Sequence, residues 1–264
     1  MSGSARLLPA LAVMLIINLA GAEQPVRPIA PTELRSGYEF LSDDLRELQD
    51  DELANPGMLW VEHGEQLWRQ AAGKHARACY DCHDQAAASM QGVAVRYPAY
   101  DADAGRVINL EQRINLCRTQ HQGAPALAYE SEDLLALTAY VAYQSRGLPV
   151  QVAIDGPAES IFERGLYLYQ LRIGQMNLAC THCHDQNWDR RLLSDTIGQG
   201  HANAYPVYRL EWQTLGSLQR RLRSCNSGVR AQMQSYGDAD YVALELYLAW
   251  RSSGLPLETP GIRR

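Results

Sequence analysis

Two pentapeptides constrain this chain more than anything else in it: Cys79-Tyr80-Asp81-Cys82-His83 and Cys180-Thr181-His182-Cys183-His184 both read C-x-x-C-H, the signature of covalent c-type haem attachment. The spacing has a chemical reason. Two thiols two residues apart on one helical turn reach the two vinyl groups of one porphyrin, and the adjacent imidazole falls under the iron as proximal ligand. The expected cofactors are two covalently bound haem c groups, attached through Cys79, Cys82, Cys180 and Cys183, with His83 and His184 on the irons. With only two phenylalanines in the chain, the porphyrins are expected to supply much of the buried apolar surface.

The segments around the two motifs repeat. Tyr97-Pro98-Ala99-Tyr100 returns as Tyr205-Pro206-Val207-Tyr208, Cys117 as Cys225, and Arg146-Gly147-Leu148-Pro149 as Ser253-Gly254-Leu255-Pro256. The chain therefore reads as a duplication. The expected fold is mainly α: two tandem class I cytochrome c-like domains, 23–149 around haem 1 and 150–264 around haem 2. The copies are offset by 101 residues at the haem motifs and by 108 at the lone cysteines, so the second half has about seven extra residues, within 187–203. That stretch is charged and polar and reads as a surface loop. Helical spacing of apolar residues predicts a helix ahead of each haem motif, over 57–72 and 160–173, and another near the end of each half, over 132–145 and 241–251. Gly147 and Gly254 suit the C-terminal caps of the later pair. Residues 149–157 read as the linker between halves, and Tyr140, Tyr143, Tyr247 and Trp250 as core.

Residues 1–22 stand apart. Arg6 is their only charge, 7–19 is an apolar run, and Ala20-Gly21-Ala22 offers the small residues a signal peptidase reads, so a cleaved export signal is expected. Thirteen apolar residues with an internal Pro9 fall short of the roughly 20 that span a bilayer. Without this stretch the chain holds 23 basic and 30 acidic residues, a net charge of −7, which argues against a nucleic-acid partner. No other stretch is long and apolar enough for a membrane, so the expected location is the periplasm. In that oxidising compartment six cysteines would ordinarily suggest three disulfides.

Haem attachment consumes four of the six, leaving Cys117 and Cys225 at equivalent places in the two copies. They lie where a small cytochrome c offers its sixth ligand, and a thiolate there gives His/Cys ligation of both irons with a lowered potential. A Cys117–Cys225 disulfide is the competing reading. Met90, Met176 and Met233 are available as ligands, but Met90 and Met233 have no counterpart in the other half. Around Cys225 runs Arg220-Arg221-Leu222-Arg223-Ser224-Cys225-Asn226, a basic knot in an acidic chain. On a helix Arg221 and Cys225 share a face, and a guanidinium beside a sulfur nucleophile can hold a sulfonate by paired hydrogen bonds. Arg113 precedes Cys117 by the same four residues, so pairing with a haem propionate is the competing reading for Arg221. Arg220 and Arg223 match Gln112 and Asn115, so the extra charge is expected in the second pocket alone.

With two haem motifs, a lone cysteine in each half and the Arg-x-x-x-Cys-Asn segment in order, the chain resembles the di-haem SoxA family across essentially its full mature length. The resemblance implies an L-cysteine S-thiosulfotransferase that joins thiosulfate oxidatively to a cysteine of the carrier SoxYZ. It further implies a heterodimer with SoxX, a small mono-haem cytochrome c, and onward electron transfer to a soluble cytochrome c. On the residues, it makes Cys225 both axial ligand and active-site sulfur, commonly a persulfide, Arg221 the catalytic and substrate-binding arginine, and His83 and His184 the axial histidines. The alternatives are a di-haem electron carrier without bond-forming chemistry, which would want Met as sixth ligand, and a di-haem peroxidase, which would need one openable iron.

Overall fold

In the computed structural model, which describes residue 25, residues 27–193 and residues 195–264, the chain is mainly helical. The export signal expected over 1–22 lies outside the described residues. The first half carries α1 (Asp43–Asp50), α2 (Met58–Arg69), α3 (Tyr80–His83), α4 (Ala86–Ser89), α5 (Leu110–Cys117) and α6 (Glu132–Tyr143). The second carries α7 (Glu159–Gln170), α8 (Cys180–His184), α9 (Leu218–Gly228) and α10 (Ala239–Arg251). All four helices expected from periodicity are present, as α2, α6, α7 and α10. Short strands accompany them: β1 (Ala99–Asp101) antiparallel to β2 (Arg106–Ile108), a β3 (Arg191–Leu192) and β4 (Asp195–Thr196) hairpin, and β5 (Val207–Arg209) between antiparallel β6 (Thr214–Gly216) and parallel β7 (Gly261–Arg263).

The sequence repeat is matched by how the helices start and cross. Asn109 and Ser217, equivalent residues, cap α5 and α9 by accepting from the backbone N–H of Gln112 and Arg220. The two helices carrying the lone cysteines therefore begin at the same point of each half. In the first half α2 packs across α6, and in the second α7 packs across α10. A Cβ on Gly64 would lie 2.2 Å from the Ala136 carbonyl oxygen, and one on Gly165 would lie 2.1 Å from that of Ala243. Only glycine allows so close an approach. Trp68 and Tyr169, also equivalent, tie each crossing to its haem motif: Trp68 Nε1 donates to the Asp84 carbonyl at 3.0 Å, and the Tyr169 hydroxyl to the Asp185 carboxylate at 2.9 Å.

The segment read as a linker is packed rather than free. Val150 and Val152 are buried, and 147–150 pairs with 254–257, through Gly147 N to Leu257 O at 2.8 Å and Val150 N to Leu255 O at 2.9 Å, among others. The two Gly-Leu-Pro repeats thus clasp one another, with Gly147 and Gly254 at the expected positive φ. One apolar core runs through both halves, from Val61, Trp68 and Tyr140 to Phe162, Leu246 and Trp250. The stretch 27–55 precedes the first haem motif yet lies against the second half: Arg35 N donates to Gln199 Oε1 at 2.8 Å, and Asn55 Nδ2 to the Pro260 carbonyl at 3.0 Å. A boundary at 149 separates the haem motifs, not every packing unit.

Between the halves lies a cavity of about 90 Å³ whose walls include Glu111, Glu245, Asn109 and Asn203. Both glutamates are buried. Burial, and after it Glu130, pushes the Glu111 carboxyl up to about 7 against the pull of a backbone N–H. Burial and then Glu111 raise Glu245 well above the usual carboxylate range, although Asn109 Nδ2 donates to it at 2.9 Å.

Candidate functional site

Each haem motif sits on a short helical turn that follows a tight loop, with His83 and His184 closing α3 and α8. In the first half a cavity of about 460 Å³ opens beside His83, lined also by Met90, Val93, Tyr97 and Arg113. The His83 ring lies 5.7 Å from that of Trp68, and burial, then the Arg113 charge, keeps the imidazole neutral, as a metal ligand must be. Met90 thus reaches this cavity, whereas Met176 and Met233 are exposed. Cys117 closes α5 one turn after Arg113, whose Nη1 pairs with Asp101 Oδ2 at 2.8 Å.

No disulfide joins Cys117 to Cys225, since both are free thiols. Each faces the haem motif of its own half. After burial, Cys117 is the neighbour that most raises the Cys79 thiol, and Cys225 is the neighbour that most raises Cys180, which is pushed up to about 12. Burial and then Cys225 raise Cys183 in the same way.

In the second half the sequence expectation for α9 is met: Arg221 and Cys225 lie one turn apart on one helix. The Arg221 guanidinium is raised by Cys225 and then Tyr205, against burial, which is the largest single influence and lowers it. It makes no hydrogen bond or ion pair with protein among the described residues. Burial keeps the Tyr205 phenol protonated, with Arg221, Arg209 and Cys225 as its electrostatic neighbours.

The basic knot does not converge on Cys225. Arg220 turns to Glu130, at 3.7 Å, and stacks 4.3 Å from the Trp212 ring centroid. Arg223 donates to the Gln234 carbonyl and lies 4.6 Å from the Tyr236 centroid. Successive helical positions are turned by about 100°, so Arg220 and Arg223 leave on other faces than Arg221. The additional charge in the pocket comes instead from Arg209, on β5, which sequence reasoning passed over.

The 187–203 segment is half as expected. The tip of its β3–β4 hairpin is exposed, with Leu193 at 94%, but its base is structural. The His184 Nδ1 proton is donated to the Gly198 carbonyl at 2.7 Å, leaving Nε2 for a metal. Gly200, at φ +74°, packs so tightly on the ring that a Cβ would lie 2.9 Å from His184 Cγ. The Gly-Gln-Gly run 198–200 is the signal in the sequence for this close approach.

The residues fit c-type haem in both halves. Each offers two thiols and an imidazole on one turn, and near them are buried guanidinium nitrogens without protein acceptors, Arg118 Nε in the first half and Arg251 Nε and Nη1 in the second. Such unpaired donors suit the propionates of a porphyrin.

A family model described as SoxA/TsdA, cytochrome c domain, matches residues 63–150. The chain is 42% identical over 231 residues to the L-cysteine S-thiosulfotransferase subunit SoxA of Rhodovulum sulfidophilum, covering 88% of this chain and 80% of the relative. It is 40% identical to the protein of the same name from Pseudaminobacter salicylatoxidans, covering 87% and 80%. Among solved structures, the crystal structure of SoxXA from P. pantotrophus matches with a TM-score of 0.84 at 33% identity, over 88% of this chain and 87% of the matched one.

Proposed function

The chain belongs to the SoxA family, and from that premise we propose that it is the haem c subunit of an L-cysteine S-thiosulfotransferase, with two haem c groups and its active site in the second half. The observation that carries this reading is the pairing on α9: an arginine without a protein partner one turn from a free cysteine that faces Cys180 and Cys183. In this reading His83 with Cys117, and His184 with Cys225, would hold the two irons. The partners are a SoxX-type mono-haem cytochrome, the carrier SoxYZ, thiosulfate and a soluble cytochrome c acceptor. The location is the periplasm, reached through a signal over 1–22. No helix among the described residues is long and apolar enough to cross a membrane.

Bound haem c supplies a one-electron acceptor beside the reacting sulfur. The chain's own residues do the rest. The Gly198 carbonyl holds the Nδ1 proton of His184 and so fixes the tautomer whose Nε2 is a metal ligand. Arg221 grips the sulfonate of thiosulfate in a two-pronged contact and sets its outer sulfur toward Cys225 Sγ. Neutral Tyr205 adds a hydroxyl donor on the same side. In the net reaction one carrier thiol and one thiosulfate dianion give one S-thiosulfonate, one proton and two electrons; an S–H bond breaks and an S–S bond forms. Passage through Cys225 is a thiol–disulfide type exchange.

The test compares Cys225→Met with Cys117→Met in the complex with its partner cytochrome. Methionine can occupy either ligand position, so haem content should persist in both. Cys225→Met should abolish thiosulfate coupling; Cys117→Met should shift the first haem's spectrum and leave much of the activity. Full activity in Cys225→Met with loss in Cys117→Met would put the active site in the other half.

A further inference from the structure

The two halves place the same arginine in opposite electrostatic settings. In the first half Arg113, on α5, is paired with Asp101, the last residue of β1, with Nη1 to Oδ2 at 2.8 Å. Both members of that pair have counterparts 108 residues later: Arg113 corresponds to Arg221, and Asp101 to Arg209. The strand registers agree, since Asp101 opposes Arg106 in the first hairpin and Arg209 opposes Thr214 in the second. A salt bridge in one pocket is thus replaced by two guanidiniums in the other.

Arg209 is not a surface cation. It faces inward with Val207 on the buried side of β5, at 6% exposure, and its Nε has no acceptor. Its nearest carboxylate is Glu211, at 3.6 Å and 68% exposed, too well solvated to neutralise it. The Trp212 ring lies 5.2 Å from the guanidinium. Asp195, on the hairpin, is the other acid that faces both arginines, and it is half-exposed and engaged with Arg264 at 3.7 Å. Burial and then the Arg221 charge lower Arg209 from its ordinary value, which marks the two cations as neighbours. Two neighbouring guanidiniums, one buried and one partly buried, whose only acids are solvent-exposed, are costly, and they persist where an external anion completes the site.

We propose that Arg209 and Arg221 form a two-guanidinium cradle for the sulfonate of thiosulfate, or of the S-thiosulfonate product, beside Cys225, and that Arg209 is a second substrate-binding residue of the chain. This rests on the reading that the second half holds the active site. The cradle also gives the asymmetry of the duplication a cause. The first pocket offers a dianion one cation that Asp101 already pairs at 2.8 Å; the second offers two, opposed only by the solvated carboxylates Glu211 and Asp195.

The test uses the haem-loaded complex and thiosulfate, with Arg209→Gln, Arg209→Lys and Arg209→Asp, the last recreating the Arg–Asp pair of the first half. A charge-assisted hydrogen bond lost to a buried anion corresponds to about ten- to hundredfold. Arg209→Gln should raise KM for thiosulfate by about that factor, Arg209→Asp by more, and Arg209→Lys by less. KM for the carrier protein and the haem content should stay as in the parent. An unchanged KM for thiosulfate in both Arg209→Gln and Arg209→Asp overturns the proposal. So does a shift of the second haem's potential without a change in KM, because it makes Arg209 the partner of a propionate. Cys225→Met, assayed in parallel, separates the two levels. If Cys225→Met is inactive while the Arg209 variants are kinetically silent, the cradle alone is wrong. If Cys225→Met is fully active, the active-site reading falls and the cradle with it.

Discussion

Replacing Glu111 by Gln should stabilise the protein, and only where the pH is high. Glu111 lines the cavity between the halves, and its folded-state value of about 7 stands well above the ordinary 4.5. In the unfolded chain the carboxyl loses its proton near 4.5, but in the folded chain it holds on to it until about 7. Between those values the folded state binds the extra proton, so stability falls as pH rises, and the loss is complete above 7. Its size follows from the displacement and is on the order of 3 kcal/mol. An amide cannot ionise and removes this loss. It should also fit, because Gln219 occupies the equivalent place in the second half at 0% exposure. At pH 8 the variant should therefore gain up to about 3 kcal/mol, or about 6–12 °C in Tm for a chain of this size, and at pH 4 it should match the parent. Unfolding of the haem-loaded protein by denaturant at both pH values measures this. An equal shift at both pH values, or a less stable variant at pH 8, would refute the assignment of a strained carboxyl at this interface.

Two other outcomes are expected. Thioether bonds at Cys79, Cys82, Cys180 and Cys183 survive unfolding, so denatured, thiol-treated protein should retain two haems by intact mass and pyridine haemochrome assay; a mass without them removes the two-haem reading. Gly200→Ala should disturb only the second haem, because its Cβ would press on the His184 ring and its φ of +74° disfavours any side chain. A cost of about 1–3 kcal/mol is expected, with an altered ligand-field spectrum for the second haem and an unaltered first. An unperturbed second-haem spectrum would show that Gly200 does not constrain His184.

What could be read from the chain divides along physical lines. The paired C-x-x-C-H turns and the four long helices were legible because each depends on local spacing, and α2, α6, α7 and α10 appear where apolar periodicity placed them. The pairing of Arg221 with Cys225 was legible for the same reason, being an i, i+4 relation on one helix. The basic knot misled because a run of cations says nothing about which face of the helix meets the pocket; Arg220 and Arg223 leave toward Glu130 and Tyr236. Arg209 was hidden because its proximity to Arg221 depends on a strand packing beside a helix. The aligned repeats contained a hint, the exchange of Asp101 for Arg209, but its meaning needed the 2.8 Å contact in the first half. The Glu111 and Glu245 pair was invisible for a similar reason: the two are brought together only when the halves dock.

The clasp between 147–150 and 254–257 has a consequence for the origin of the molecule. The same segment of each half meets its own counterpart, an isologous contact of the kind identical subunits make around a two-fold axis. Two unlike domains joined by chance would have no reason to meet through matching residues. The chain is therefore organised in the manner of a homodimer within one polypeptide, and each half serves as the other's subunit. Within this symmetric docking the two pockets differ, with Asp101 in one where Arg209 stands in the other.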